Sequence, residues 1–205
     1  IFSFHPVKII TTAEGGMALT NDDAIAENMN LFRSHGITRD PVLMTKPSEG
    51  PWYYQQIALG FNYRMTELQA ALGYSQINRL DAYVARRHEL ARYFDALLSD
   101  LPVVTPWQHP DCYSGMHLYV IRLQPDRIDK TRAEVFQQMR DLGIGVNVHY
   151  IPVHLQPYYQ AMGFKSGDYP EAERYYSEAL TLPLFPKLNT SQQQFISQSL
   201  RGILS

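Results

Sequence analysis

Cysteine is all but missing. Cys112 is the only one in 205 residues, which excludes an internal disulfide framework and a cysteine-built zinc site and suits a reducing, cytoplasmic setting. An excess of one charge is missing too. Lys and Arg number 18 against 20 Asp and Glu, a formal net charge of −2, so the basic bias of a nucleic-acid binder is absent. No apolar run approaches the roughly eighteen residues of a membrane-spanning helix. The opening Ile1-Phe2-Ser3-Phe4-His5 has no basic leader, no long apolar stretch and no initiator Met. It reads as the middle of a strand, and the chain is expected to be a piece of a longer protein. What is present is a core-forming composition, 45% hydrophobic and 19% charged.

The local signals alternate strand and helix. Ile9-Ile10-Thr11-Thr12 is β-branched and Gly15-Gly16 breaks it before Met17-Ala18-Leu19-Thr20, which predicts two short strands around a tight turn. Asn21 or Asp22 caps a helix to about Ser34. Residues 37–60 hold Pro41, Pro47, Gly50 and Pro51 and read as a long loop, in which Trp52-Tyr53-Tyr54 offers rings for stacking on a uracil or sugar. Thr66-x-x-Gln69 fits a capping box, and an apolar stripe from Leu68 to Leu98 predicts one long helix over 64–100, ended by Pro102 and Pro106. Beyond it, His117–Leu123 and Ile144–Tyr150 read as strands. Thr131-x-x-Glu134, Pro170 and Thr190-x-x-Gln193 start helices, the second running to about Leu180. The expected division is 1–63, the connecting helix 64–100, and a small α/β domain 101–205.

Several residues carry candidate chemistry. Lys8 sits beside β-branched neighbours that would desolvate its amine and free it to form a Schiff base; Ser3, five residues earlier, could bond a phosphate. Taken alone, a solvent-facing lysine is the plainer reading. Asn62 either serves a turn or donates its neutral amide to a phosphate. Arg64 contacts a carboxylate or phosphate, or pairs with an acidic side chain. Arg33-Ser34-His35-Gly36 closes a helix, where cations are favoured. His149 and His154 are five apart with Pro152 between them and no Cys or carboxylate ligand nearby, so no metal site is expected. Tyr150 and His154 instead suit hydroxyl or phosphate groups. The basic run Arg86-Arg87-His88 with Arg92 reads as a solvated helix face.

The string Ser3-Phe4-His5-Pro6-Val7-Lys8, continued by Ile10-Thr11-Thr12-Ala13-Glu14-Gly15-Gly16, resembles the lysine motif of the DegT-type sugar aminotransferases. Two further segments are similar to that family in the same order, Gly60-Phe61-Asn62-Tyr63-Arg64-Met65-Thr66-Glu67-Leu68-Gln69-Ala70-Ala71-Leu72-Gly73 and Val148-His149-Tyr150-Ile151-Pro152-Val153-His154-Leu155-Gln156-Pro157-Tyr158-Tyr159, and His117-Leu118-Tyr119 matches a late His-aromatic stretch. The resemblance implies an α/β fold, the C-terminal part of an aspartate-aminotransferase-type (fold type I) enzyme: the end of the large domain, a connecting helix and a small domain. It implies pyridoxal 5'-phosphate as cofactor, with Lys8 as the catalytic residue that holds it covalently, Ser3 on its phosphate and Asn62 reaching the phosphate of a neighbouring subunit. Substrate contacts fall to Arg64, His117, His149, Tyr150 and His154. A dehydratase branch of the family carries His in place of this lysine, so Lys8 argues for amino transfer. The implied partners are an amino-acid donor, usually L-glutamate, and a keto nucleotide-sugar in a homodimer with shared active sites; neither nucleic acid nor a membrane is expected. The motif looks closest to the subgroup that aminates C4 of a UDP-linked 4-keto-6-deoxy-N-acetyl hexosamine for pseudaminic acid. The alternative is a catalytically incompetent fragment or a regulatory relative of the same fold. The chain starts seven residues before Lys8, so the main cofactor cradle is expected upstream of it.

Overall fold

A computed structural model describes residues 1–205. Contacts divide the chain into two units, Ile1–Leu80 and Asp81–Ser205. The first begins with β1 (Phe2–Ser3) paired antiparallel with β2 (Gly16–Met17). Next come α1 (Asp23–Phe32), the antiparallel pair β3 (Ile37–Thr38) and β4 (Gln55–Gln56), and α2 (Glu67–Ile77). Asp22 caps α1 by accepting from the Ile25 amide, and Thr66 and Gln69 form both halves of the expected capping box on α2.

The predicted strand at Ile9–Thr12 is not formed: Ile9 and Ile10 bend, and Thr11 and Thr12 pair with no strand. Their threonines bond locally instead, Thr11 Oγ1 to the Phe4 carbonyl and Thr12 Oγ1 to the Glu14 carbonyl, both at 2.8 Å. Such side-chain bonds offer the backbone an alternative to a ladder. Neither α1 nor α2 buries a residue, and the buried apolar side chains of the chain begin only at Val84. Leu59 and Leu68 are 87% and 86% exposed.

The single helix expected over 64–100 is two, α2 and then α3 (Leu80–Leu98). The break follows from Asn78, whose amide turns back to the Tyr74 carbonyl while the Arg79 amide takes the Gln76 carbonyl in a tighter turn. The expected apolar stripe is buried only in its second half, at Val84, Ala91, Phe94 and Leu98.

The second unit is built on a three-stranded antiparallel sheet in the order β5 (Val103–Val104), β6 (Tyr119–Leu123), β7 (Ala179–Leu182). Around it lie α3, α4 (Arg132–Asp141), α5 (Pro157–Gln160), α6 (Pro170–Glu178) and α7 (Thr190–Leu204). Period-two alternation sends Tyr119, Ile121 and Leu123 inward. They meet Phe94 and Leu98 of α3, Val135 and Met139 of α4, and Ile196 and Leu200 of α7 in one core. Each such side chain contributes about 1.5–3 kcal/mol by leaving water. Tyr119 donates its hydroxyl to Asp95, and burial together with that carboxylate pushes its ionisation far up.

Three expectations shift here. Ile144–Tyr150 is not a strand: only Asn147 pairs, with Thr181, because the Val146 amide turns back to the Ile144 carbonyl. The helix from Pro170 stops at Glu178 and its last expected turn becomes β7, buried throughout. The last helix is capped by Asn189 with Gln192, one residue before the expected pair, because Gln193 is buried and donates to the Leu90 carbonyl.

Candidate functional site

Lys8 lies in a closed loop over residues 4–15. The Phe4 amide donates to the Gly15 carbonyl (2.9 Å), and the Phe4 carbonyl accepts from both the Thr12 amide (3.0 Å) and Thr11 Oγ1 (2.8 Å). Lys8, near the middle of that loop, is held by a turn in which its amide donates to the His5 carbonyl at 2.9 Å. The side chain is half-buried, so neither a strand position nor full exposure describes it. Ser3 sits on β1 at the foot of the same loop, exposed, with Oγ 3.4 Å from the His5 amide.

A second cluster forms at the end of α1. His35 (φ +64°) and Gly36 (φ +69°) turn the chain left-handed, and the His35 amide donates to the Phe61 carbonyl, the Tyr63 amide to the Arg33 carbonyl. Asn62 bridges Ser34 across this seam. Arg64 Nη2 donates to Asn62 Oδ1 at 3.1 Å and lies 3.4 Å from His35 Nε2, which must accept because a guanidinium only donates. Its oxygen is engaged by Arg64, and Asn62 as a whole is exposed. Asn62 and Arg64 are thus brought together, and Ser3 and Lys8 are linked through the backbone of His5.

His117, His149, Tyr150 and His154 belong to the other unit. His117 leads into β6, and its carbonyl accepts from Arg87. His149 Nδ1 is 2.8 Å from Thr181 Oγ1, and Tyr150 packs edge-on against the His149 ring with its own ring 69% exposed. His154 is only 7% exposed, stacks near Tyr169, and its Nε2 donates to Glu173 Oε1 at 2.8 Å. That bond ties the ring into the fold.

Glu173 also accepts from Ser166 Oγ and the Gly167 amide. The His154 bond, then the Gly167 and Ser166 bonds, hold its carboxyl down to about 2 from an ordinary 4.5. A carboxyl depressed by folding stabilises above its unfolded value and loses that contribution as pH falls through the folded one. We expect thermal stability to drop on acidification between pH 4.5 and 2 through this group, and the drop to shrink in Glu173→Gln. Melting curves across that window check it; identical curves for the two proteins would refute it.

The basic run is not one solvated face. Arg87 is 6% exposed and its Nη1 donates to the carbonyls of Met116, His117 and Leu184, while burial lowers its pKa. His88 bonds the Ser114 carbonyl at 2.7 Å and stacks on Tyr113. Nothing in the spacing distinguishes such an arginine from its solvated neighbours.

The sequence profile of the DegT/DnrJ/EryC1/StrS aminotransferase family matches residues 1–201. The chain belongs to that family. Among curated relatives, the UDP-4-amino-4,6-dideoxy-N-acetyl-beta-L-altrosamine transaminase of Campylobacter jejuni is 32% identical over 100% of this chain and 52% of its own length. Among solved structures, Helicobacter pylori PseC, an aminotransferase of pseudaminic acid biosynthesis, superposes with a TM-score of 0.86 at 32% identity, covering 99% of this chain and 52% of that one. The Streptococcus pneumoniae sugar aminotransferase Spr1654, in its pyridoxamine-phosphate form, gives a TM-score of 0.85 at 27% identity, covering 98% and 52%. The chain therefore spans about half the length of the curated relatives it matches. It contains no helix long and apolar enough to cross a membrane.

Pyridoxal 5'-phosphate is the cofactor of this family. The donors present suit it. A half-buried amine in a pinned loop suits the aldehyde; the Ser3 hydroxyl, the Asn62 N–H groups and the Arg64 guanidinium suit a dianionic phosphate.

Proposed function

We propose that the whole protein carrying this chain transfers an amino group from L-glutamate to C4 of a UDP-linked 4-keto-6-deoxy-N-acetyl hexosamine, for surface-glycan sugar biosynthesis. The observation that carries this reading is Lys8 within a loop closed on itself at Phe4, in a chain matched to the family from end to end. The names of the Campylobacter and Helicobacter relatives support the sugar.

When bound, pyridoxal phosphate supplies an electron sink and carries the amino group between the two substrates. Ser3 and Asn62 orient its phosphate, and Arg64 supplies the countercharge. Lys8 Nζ, as a free amine, would accept the α-proton of the amino acid and hold it for return. Asn62 and Arg64 are exposed within one chain, which supports their serving a second subunit in a homodimer. In the 37–60 segment an open cavity of about 370 Å³ is lined by Thr45, Lys46, Tyr53, Gln55, Gln56 and Ile57. Its cation and ring suit a nucleoside diphosphate. His117, His149, Tyr150 and His154 are the candidates for the sugar's hydroxyl and phosphate groups.

Incubation of the whole protein with glutamate and the UDP-keto sugar should release 2-oxoglutarate and an amino sugar one amino group heavier by mass spectrometry. A protein that binds the cofactor and yields neither product would overturn the assignment. Asn62→Ala should weaken pyridoxal phosphate binding by about tenfold or more, the worth of a hydrogen bond to a charged group. Pyridoxal, which lacks the phosphate, should bind both proteins alike in the same fluorescence titration. The exposed apolar surface of residues 1–80 favours a second reading for the 205-residue chain taken by itself, in which it holds no cofactor until further polypeptide covers that surface. An absorbance scan of the isolated chain with added cofactor separates the two.

A further inference from the structure

We propose that one face of α2, formed by Gln69, Gly73 and Gln76, is the platform that positions the lysine loop. The inference rests on the reading that Lys8 holds the cofactor. Residues at i, i+4 and i+7 share a helix face, and all three meet the loop. Gln76 Oε1 accepts from the Thr11 amide at 3.1 Å. Gln69 Nε2 donates to the Glu14 carbonyl at 3.0 Å. Between them the bare Cα of Gly73 faces Thr12: a Cβ there would lie 2.7 Å from Thr12 Cγ2.

The contacts pass to Lys8 through a short chain of bonds. Thr11 and Thr12, which the platform touches, are the residues that close the loop on the Phe4 carbonyl, four residues before Lys8. Thr12 cannot turn aside easily, since it is 3% exposed and its Oγ1 is committed to the Glu14 carbonyl. The platform is also locked in register. Gln69 Oε1 accepts from Thr66 N and Oγ1 as half of the capping box while its Nε2 reaches Glu14, so the helix start and the loop are fixed by one side chain. A slip of one residue would rotate the face by about 100° and lose every contact. None of the three residues touches Lys8; they are positioning residues, and a displacement of the amine by about 1 Å would cost up to about a hundredfold in rate.

The test uses the whole protein with pyridoxal 5'-phosphate as probe. Covalent attachment is trapped with borohydride at timed intervals and mapped by peptide mass spectrometry, and hydrogen exchange is followed in the peptide containing Thr11. Gln76→Leu removes the acceptor and should speed exchange of that peptide and slow attachment, each about tenfold. Gln76→Glu keeps an acceptor and should restore both. Gly73→Ala leaves every donor and acceptor of the platform in place and favours the helix, yet its methyl must push Thr12, so it should slow attachment with some loss in melting temperature while the circular dichroism stays that of the parent. Unchanged attachment and exchange in Gln76→Leu, failure of Gln76→Glu to rescue, or normal attachment in Gly73→Ala would each overturn the platform. An adduct that maps to another lysine in the unmodified protein would instead overturn the assignment of Lys8, and the platform would then stand or fall on the exchange of Thr11.

Discussion

Lys8→Ala is expected to abolish the borohydride-trapped pyridoxyl adduct and to lower amino transfer by about four orders of magnitude, the upper range for a positioned proton-transfer group. The effect is large because one nitrogen serves in two roles. In the proposed function it is the covalent anchor of the resting cofactor, and as a free amine it would move the substrate proton. Both need a nucleophile at a fixed place, which the 4–15 loop provides through the Phe4 and Gly15 bonds at its base. The substitution leaves that frame standing, since the loop is closed by backbone groups and by Thr11 rather than by the lysine side chain. The melting temperature should therefore stay close to that of the parent. Steady-state turnover, intact mass after reduction and the visible absorbance band check the three parts together. Retained turnover in a well-folded variant would show that the chemistry runs elsewhere.

Gly36→Ala should have the largest effect of any single methyl group in the first unit. Gly36 is left-handed at φ +69°, which costs an alanine about 1–2 kcal/mol. A Cβ there would also lie 1.9 Å from the Ala58 carbonyl oxygen and 2.5 Å from its carbon. Those are backbone atoms, so relief requires the 56–60 segment to move. That segment is pinned, because the Ile57 amide donates to the Gly36 carbonyl at 2.8 Å and the Phe61 amide to the Phe32 carbonyl at 2.7 Å. The seam carries Asn62 and Arg64, so its displacement should weaken both stability and the binding of phosphate-bearing cofactor. Gly202→Ala is the matched control: nothing lies within 4 Å of its added Cβ, and the α7 helix should gain about 0.8–1 kcal/mol. Equal denaturation midpoints for Gly36→Ala and the parent would disprove the clash.

Local chemistry was legible where a few residues settle it. The boxes at Thr66–Gln69 and Thr131–Glu134 are self-contained, each half within three residues of the other. Strands were read less well. The β-branched Ile9–Thr12 run looked extended, but the paired residues are Phe2–Ser3 and Gly16–Met17, and pairing depends on a partner that propensity does not name. Asn78 carried a visible signal, a side chain that competes for the helix's own carbonyls, and its effect on the 64–100 helix was still missed. For the candidate site, the motifs singled out Lys8, Ser3, Asn62 and Arg64. Gly73 closes the second motif with no role attached to it and Gln76 lies beyond it; both look like ordinary helix-surface residues until the loop is laid on them.

The order of the motifs, the helix caps and the family belong to the sequence, because each rests on residue identity at short range. Which side chains are withdrawn from water belongs to the tertiary structure. Arg87 is the plainest instance: one basic residue in a run of them is buried because carbonyls 29, 30 and 97 residues away converge on its guanidinium. His154 is another, buried against a carboxylate 19 residues further on. Burial is a property of what the rest of the chain brings to a position, and no window of neighbouring residues contains it.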